Sequence, residues 1–494
     1  MIKKIGNLLA TAYLLILFVV YPFFMKNGYV EIGEAKFEFW SRISVSAVLL
    51  MFFFFVVQAF RDRTIYTMDV WVFLFVLCTL ISLLISVDRK EAFAGTAGWH
   101  MGAFVYGVLC LLYFFISRLW IPGKFVFMSS LFAAGVAFIL GILDRFSIYL
   151  IPLKIRDPGF ISTLGNINWF CGYLVIFLSL GAAQFVFAEK AEIFFGIFSF
   201  IGFMAAFCQG SSSVFLFFGA LFVSIFWIAI ERREWILKWC ILAGSWCLAA
   251  QTVRLMRFFL SGYNYETNNL CGVFTNSNIT LYFLLADIVL FFIFSRVYNR
   301  EVKHVKAIRI ALVVCLLLVL VLYGIQAYYH TFIYRGNLES GHYLVWEAAW
   351  GNGRGATLRA GISLFQSMSW KNRLFGIGPD CFSAYAYSIP EVSQMLQEYF
   401  AGNRLTNAHN ELLTMLVNFG IVGTMSYYGI YISYLHSMMK NDRNPYGLSI
   451  GIAVACYVIH NMVSFANILN LPFLIVLLAM GQKCCIISYY DQGK

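Results

Sequence analysis

Charge is what this chain has least of: only 12% of its 494 residues are Asp, Glu, Lys or Arg, about half the share of a soluble domain. With 61% hydrophobic residues and a mean hydropathy of +0.78, a soluble globular protein is excluded and a polytopic membrane protein is indicated. No CxxC pair occurs among the twelve cysteines, which excludes a zinc-finger type of metal site. Most cysteines lie in apolar segments, so a disulfide on the outer face would have to join Cys271 to Cys381. No repeat of 20–50 residues is visible. No basic face carries interleaved aromatics, so nucleic acid is not an expected partner. Nor does a small-residue cleavage pattern follow the first apolar run, where Phe23-Phe24-Met25-Lys26 stands instead; that run reads as an uncleaved first helix rather than a signal peptide.

What is there is a series of apolar runs long enough to cross a hydrocarbon layer of roughly 30 Å. They fall near 7–25, 43–60, 68–86, 102–119, 124–143, 163–186, 191–208, 212–230, 235–252, 275–295, 309–328, 410–435, 446–464 and 466–486. The expected fold is therefore all-α, one integral membrane domain over 1–494 with about fourteen transmembrane helices (12–14). Short loops rich in Lys and Arg stay on the cytoplasmic side. With Lys3 and Lys4 inside, the groups Arg61/Arg63, Arg118/Lys124, Arg232/Arg233/Lys238, Arg296 to Arg309 and Lys440/Arg443 all fall inside as well. The stretch 296–309 holds Arg296, Arg300, Lys303, Lys306 and Arg309 against Glu301, so the net charge of +11 reports topology and contact with anionic membrane lipids. Both termini are expected in the cytoplasm.

One connection breaks the pattern of short loops. Residues 329–408 form a long, partly helical extracytoplasmic loop, expected to pack on the outer face of the membrane domain. A loop of that length in a compact protein is functional or disordered, and Trp346, Trp350 and Trp370 with two amphipathic patterns argue for order. Leu358, Ile362, Phe365 and Met368 predict a helix over 355–368 lying on the membrane domain through that stripe. Pro390 opens a second helix with Val392, Met395, Leu396 and Tyr399 on one side. Gly376-Ile377-Gly378-Pro379-Asp380 between them reads as a tight turn, with no preceding strand to make it a dinucleotide loop.

Three features of this face can carry chemistry. In Asn407-Ala408-His409-Asn410-Glu411, Asn407 is a natural N-cap, which places His409 in the first helical turn, where the positive helix end keeps imidazole neutral and available as a base. Arg354 and Arg359 head a set of cations that includes Arg335, Lys371, Arg373 and Arg404; guanidinium forks clamp phosphate oxygens. On one helix those two residues diverge by about 140°, so a joint clamp needs Arg354 just before the helix. Finally, Gly165-Asn166-Ile167-Asn168-Trp169-Phe170 follows Lys154 and Arg156 at the mouth of the sixth span, with amides that suit sugar hydroxyls and an indole that suits a ring.

In order and spacing these pieces resemble the O-antigen ligase and O-antigen polymerase superfamily of bacterial membrane glycosyltransferases. The resemblance is carried by Gly165-Asn166-Ile167-Asn168, by Arg354-Gly-Ala-Thr-Leu-Arg-Ala-Gly with Leu374-Phe375-Gly376-Ile377-Gly378-Pro379, and by Asn407 to Leu413 with Gly420-Ile421-Val422-Gly423. It implies a glycan donor carried on undecaprenyl diphosphate and an inverting, metal-independent transfer to the hydroxyl of an acceptor glycan or lipid, with no cofactor. By motif position it implies His409 as general base and Arg354 as the diphosphate-binding arginine. Arg359, Asn166, Asn168, Arg156, Asn410 and Glu411 are expected to contact substrate. Where relatives carry a further arginine after the Ser of a short turn, this chain has Ser211, Ser212 and Ser213, which leaves Arg156, Arg254 and Arg257 as candidates. The implied location is the bacterial cytoplasmic (inner) membrane with the active site outside. A transporter or flippase of the same lipid-linked oligosaccharide is the alternative, for which Asp287 is the clearest mid-helix charge.

Overall fold

The computed structural model describes residues 2–61, 64–153, 155–260, 262–265, 270–297, 304–441 and 444–492. Of the charges used above, Arg63, Lys154, Arg300, Glu301, Lys303 and Arg443 lie outside the described residues. The chain is 76% helical with almost no strand, as an all-α membrane protein requires, because in lipid only a helix satisfies its own backbone. Among the described residues nine helices are long and apolar enough to span a membrane; the five other predicted spans coincide with shorter apolar helices such as Ala103–Leu119 and Pro445–His460. By length and composition nine are candidate spans, and the exact count of fourteen is not confirmed. Cys271 and Cys381 are both free and buried, so no bridge joins them.

Ile167–Phe187 is buried nearly all round and forms the axis of the bundle, against which Pro445–His460 packs most extensively. Ile279–Val297 and Val305–Tyr328 bury almost nothing, the pattern of helices bathed in lipid. At one end of the bundle Lys124, Lys190, Arg232 and Pro445 line a single cavity of about 470 Å³, and Arg118 donates to the Thr64 carbonyl. The basic loops thus gather at one end. The segments around His409, His460, Trp99 and Asn166 gather at the other.

The long loop builds a second apolar core from Ala360, Leu364, Met368, Ile377, Phe382, Leu396 and Val417. Pro390–Phe400 buries Val392 and Leu396 as the pattern predicts. The predicted stripe on Trp350–Ser367 is buried only in part: Met368 joins this core and Phe365 packs against it, but Ile362 is exposed, and Ala356, Ala360, Gly361 and Leu364 face inward. The reason is steric, since a Cβ on Gly361 would lie 2.5 Å from Leu413. Small residues admit the neighbouring helix where the larger apolar ones would hold it off. The turn at Gly376 (φ 82) and Gly378 (φ 119) plugs into a break in Glu411–Asn441, where Gly420 has φ 67. That break frees the Val417 and Asn418 carbonyls, which accept from the Ile377 and Gly378 N–H groups at 3.2 Å each. The backbone groups that a broken helix orphans are thereby satisfied.

Candidate active site

His409 does not stand in a helical turn. Helix Glu411–Asn441 starts two residues later, and Asn410 is its N-cap, accepting from the Leu413 N–H at 2.9 Å. Asn407 caps a tighter turn, accepting from the His409 N–H at 2.9 Å, and His409 itself takes φ 47. Two Asn side chains can each cap locally, and spacing alone could not choose between them. The left-handed backbone costs a non-glycine residue on the order of 1 kcal/mol and persists only where the surroundings hold it. Its ring meets Phe465 edge-on at 5.2 Å, and among the described residues no group is hydrogen-bonded to its side chain. Burial, and after it the Arg354 charge, push the imidazole down to about 4. The ring is neutral at pH 7, as the sequence predicts, but from burial rather than from a helix end.

Arg354 is set by three consecutive left-handed residues, Gly351, Asn352 and Gly353 (φ 59, 61 and 85), two of them glycines that adopt this backbone at no steric cost. This break places Arg354 at the start of the regular helix, the position a phosphate clamp requires. Its Nε donates to the Val463 carbonyl at 2.9 Å and its Nη1 to the Gly351 carbonyl at 2.7 Å. Three N–H donors, two of them on Nη2, remain for a ligand. Burial draws its pKa below the ordinary value, yet a guanidinium stays charged. Arg359 is exposed and does not join this cluster.

The other expected contacts are distributed as follows. Asn166 caps Ile167–Phe187, accepting from the Asn168 N–H at 2.9 Å, after a two-residue pairing of Phe160 with Asn166 that brings it to the bundle. Asn168 is half-buried with its amide unpartnered among the described residues. Arg156 lies over the Tyr149 ring at 3.5 Å and pairs with Asp144 at 3.6 Å. Arg254 donates to Asn278 and Arg257 to Asn276, each at 2.7 Å. Asn410 donates to the Met462 carbonyl at 2.8 Å. Glu411 is fully enclosed, with its carboxylate accepting from Tyr427 at 2.5 Å and from the Asn461 amide.

Residues 460–465 connect these parts, and sequence reasoning missed them. The Asn461 carbonyl accepts the Glu411 N–H at 2.8 Å, the Met462 carbonyl accepts Asn410, the Val463 carbonyl accepts Arg354, and Phe465 holds the His409 ring. Because the Asn461 amide N–H donates to Glu411, its Oδ1 accepts a hydrogen bond from His460 Nδ1–H at 3.0 Å. In the neutral tautomer His460 Nε2 then accepts from Ser213 at 3.2 Å, and Ser213 bonds Ser211 at 2.8 Å. The available signal was a polar His-Asn pair ending an apolar run, the mirror of Asn407 to Glu411. The polar turn Gln209 to Ser213 thus supports the site from beneath.

Glu411 offers a separate test of this support. Glu411→Ala orphans the buried Tyr427 hydroxyl and Asn461 amide and is expected to cost about 3 kcal/mol, while Glu411→Gln retains an acceptor and loses less. Thermal unfolding of the purified variants measures the order, and an alanine variant as stable as the glutamine one would contradict it.

This arrangement defines a multi-pass membrane protein whose polar centre lies at helix mouths on one face, with a neutral imidazole beside a partly free guanidinium. Residues 269–428 match the O-antigen ligase family model (Wzy_C), and over that stretch the chain carries an O-antigen ligase domain, as the resemblance implies. The matched stretch contains both Arg354 and His409. It supports glycan ligation or polymerisation in general, in the setting of lipid-linked glycan and membrane lipid. No curated protein matches the chain.

Proposed function

We propose that the protein transfers a glycan from undecaprenyl diphosphate to the hydroxyl of an acceptor glycan or lipid, with inversion and without a metal, on the extracytoplasmic face of the bacterial cytoplasmic membrane. One observation carries this reading: the two motif residues, far apart in sequence, are drawn within electrostatic reach of each other on the single segment 460–465. His409 takes the proton of the acceptor hydroxyl as its oxygen attacks the anomeric carbon, while the bond to the diphosphate breaks on the opposite face. The free N–H groups of Arg354 stabilise the charge that grows on the leaving diphosphate, a role worth most where water is excluded. A diphosphate is already a good leaving group, so an acid at the leaving oxygen is not needed. In vitro transfer by the purified protein, from lipid-linked glycan to acceptor with EDTA present throughout, tests the reaction; loss of activity in EDTA contradicts metal independence.

The same reading puts the long loop on the extracytoplasmic side. Ser340 is exposed in the long loop, and the basic loops cluster at the opposite end of the bundle. A cysteine at Ser340 is expected to react with an impermeant thiol reagent in intact spheroplasts. Reaction only after lysis would invert the topology.

A further inference from the structure

Residues 95–102 connect helix Arg89–Ala94 to Ala103–Leu119 and form a short loop held from two sides. Gly95, Gly98 and His100 all have left-handed backbone (φ 84, 86 and 52). Asp380 Oδ2 accepts from the Thr96 and Met101 N–H groups at 2.7 and 3.0 Å. From the other side, Glu34 accepts from the Gly98 N–H at 2.6 Å and meets His100 Nε2 at 2.7 Å. Two carboxylates from distant parts of the chain therefore fix a loop whose backbone alone would not choose this shape.

What the loop presents is Trp99. Its ring stands edge-on to Trp169 at 5.2 Å and to Phe465 at 4.8 Å, and Phe465 is the ring that meets His409. Trp99 is half-buried, and its indole N–H is neither sealed from solvent nor bonded to a described residue. Trp169, which Trp99 meets, directly follows Asn168 at the start of Ile167–Phe187, and the Asn168 amide is unpartnered among the described residues. A flat apolar ring with a free N–H, linked through Trp169 to a residue with a free amide and through Phe465 to the neutral imidazole, is the surface that a sugar ring fits: C–H bonds on one face, hydroxyls at the edge. A polyprenyl chain has no use for the two polar groups.

We propose that Trp99 is the platform for the pyranose ring at the transfer point, with its indole N–H and the Asn168 amide directed at that ring's hydroxyls. This rests on the glycan-transfer reading above. The ring belongs either to the donor glycan or to the acceptor, and kinetics distinguish the two.

The test uses full-length protein in nanodiscs, lipid-linked glycan extracted from a strain lacking this protein, and the purified acceptor. Trp99→Ala is expected to raise the KM for one substrate roughly tenfold, and the substrate affected identifies the owner of the ring. Trp99→Phe keeps an aromatic face and should recover most of the loss, whereas Trp99→Leu should not. Equal behaviour of the Phe and Leu variants would show that only packing volume matters and overturn the platform. So would a fall in kcat with both KM values unchanged, which marks a displaced Phe465 and His409 instead. If Trp99→Ala does not accumulate in the membrane, the Phe and Leu pair decides alone. Wild-type protein that forms no product sinks both readings; active wild-type protein with an unaffected Trp99→Ala sinks the platform alone.

Discussion

Replacing His409 with Gln or Asn is expected to abolish glycan transfer while the protein stays in the membrane at normal abundance. The ring makes no hydrogen bond among the described residues and meets Phe465 edge-on, so packing loses little. Asparagine is among the residues that best tolerate the left-handed backbone found at this position, and His409→Asn should unfold no earlier than wild type. Removing a general base, by contrast, typically costs roughly 10² to 10⁴-fold in rate. Gln and Asn keep hydrogen bonding but cannot take the proton, so either variant at wild-type turnover would eliminate the base. The pH profile gives a second check. Since burial and Arg354 hold the imidazole near 4, the acid limb of kcat/KM for the free enzyme should fall well below the usual histidine value near 6.5. A limb at 6.5 would mean that the ring is open to water.

Arg354→Lys is expected to damage transfer nearly as much as Arg354→Ala, with Arg359→Ala much milder. In the proposed reaction the guanidinium does two things at once: Nε and Nη1 fix it to the Val463 and Gly351 carbonyls, and the remaining donors are left for the diphosphate. An ammonium is a point charge on a flexible stem and cannot be anchored and forked together. Loss of an oriented donor to developing charge typically costs roughly 10² to 10³-fold in kcat. Arg359 is exposed and outside the cluster, so its loss removes only distant charge, which salt screens. Initial rates at equal protein level measure all three; a lysine variant near wild type would remove the two-point anchor from the mechanism.

Much of this was legible in the chain because it is local. Apolar runs locate helices, and Arg354 and His409 stand in short motifs whose spacing survives without knowledge of the fold. The parts that were not legible depend on what approaches from elsewhere. Hydrophobicity named Leu358 and Ile362 as the inner stripe of their helix, but the close passage of Leu413 gives that face to Gly361 and Ala360. Asn407 and Asn410 are both competent caps, and the choice was made by Met462, whose carbonyl takes the Asn410 amide. His460, Asn461 and Trp99 are ordinary residues at span ends until the fold joins them, through Glu411 and Phe465, to the segment around His409.

The segment 460–465 lies beyond the matched stretch 269–428, and so does Trp99. Arg354, Asn410, Glu411 and His409 nevertheless rest on it. The recognisable ligase segment is therefore half of a joint, and its other half belongs to the bundle. A chimera that grafts residues 269–428 onto a foreign membrane domain would arrive with its reactive pair and without their seat. Exchange of specificity between such proteins should succeed only when both halves travel together.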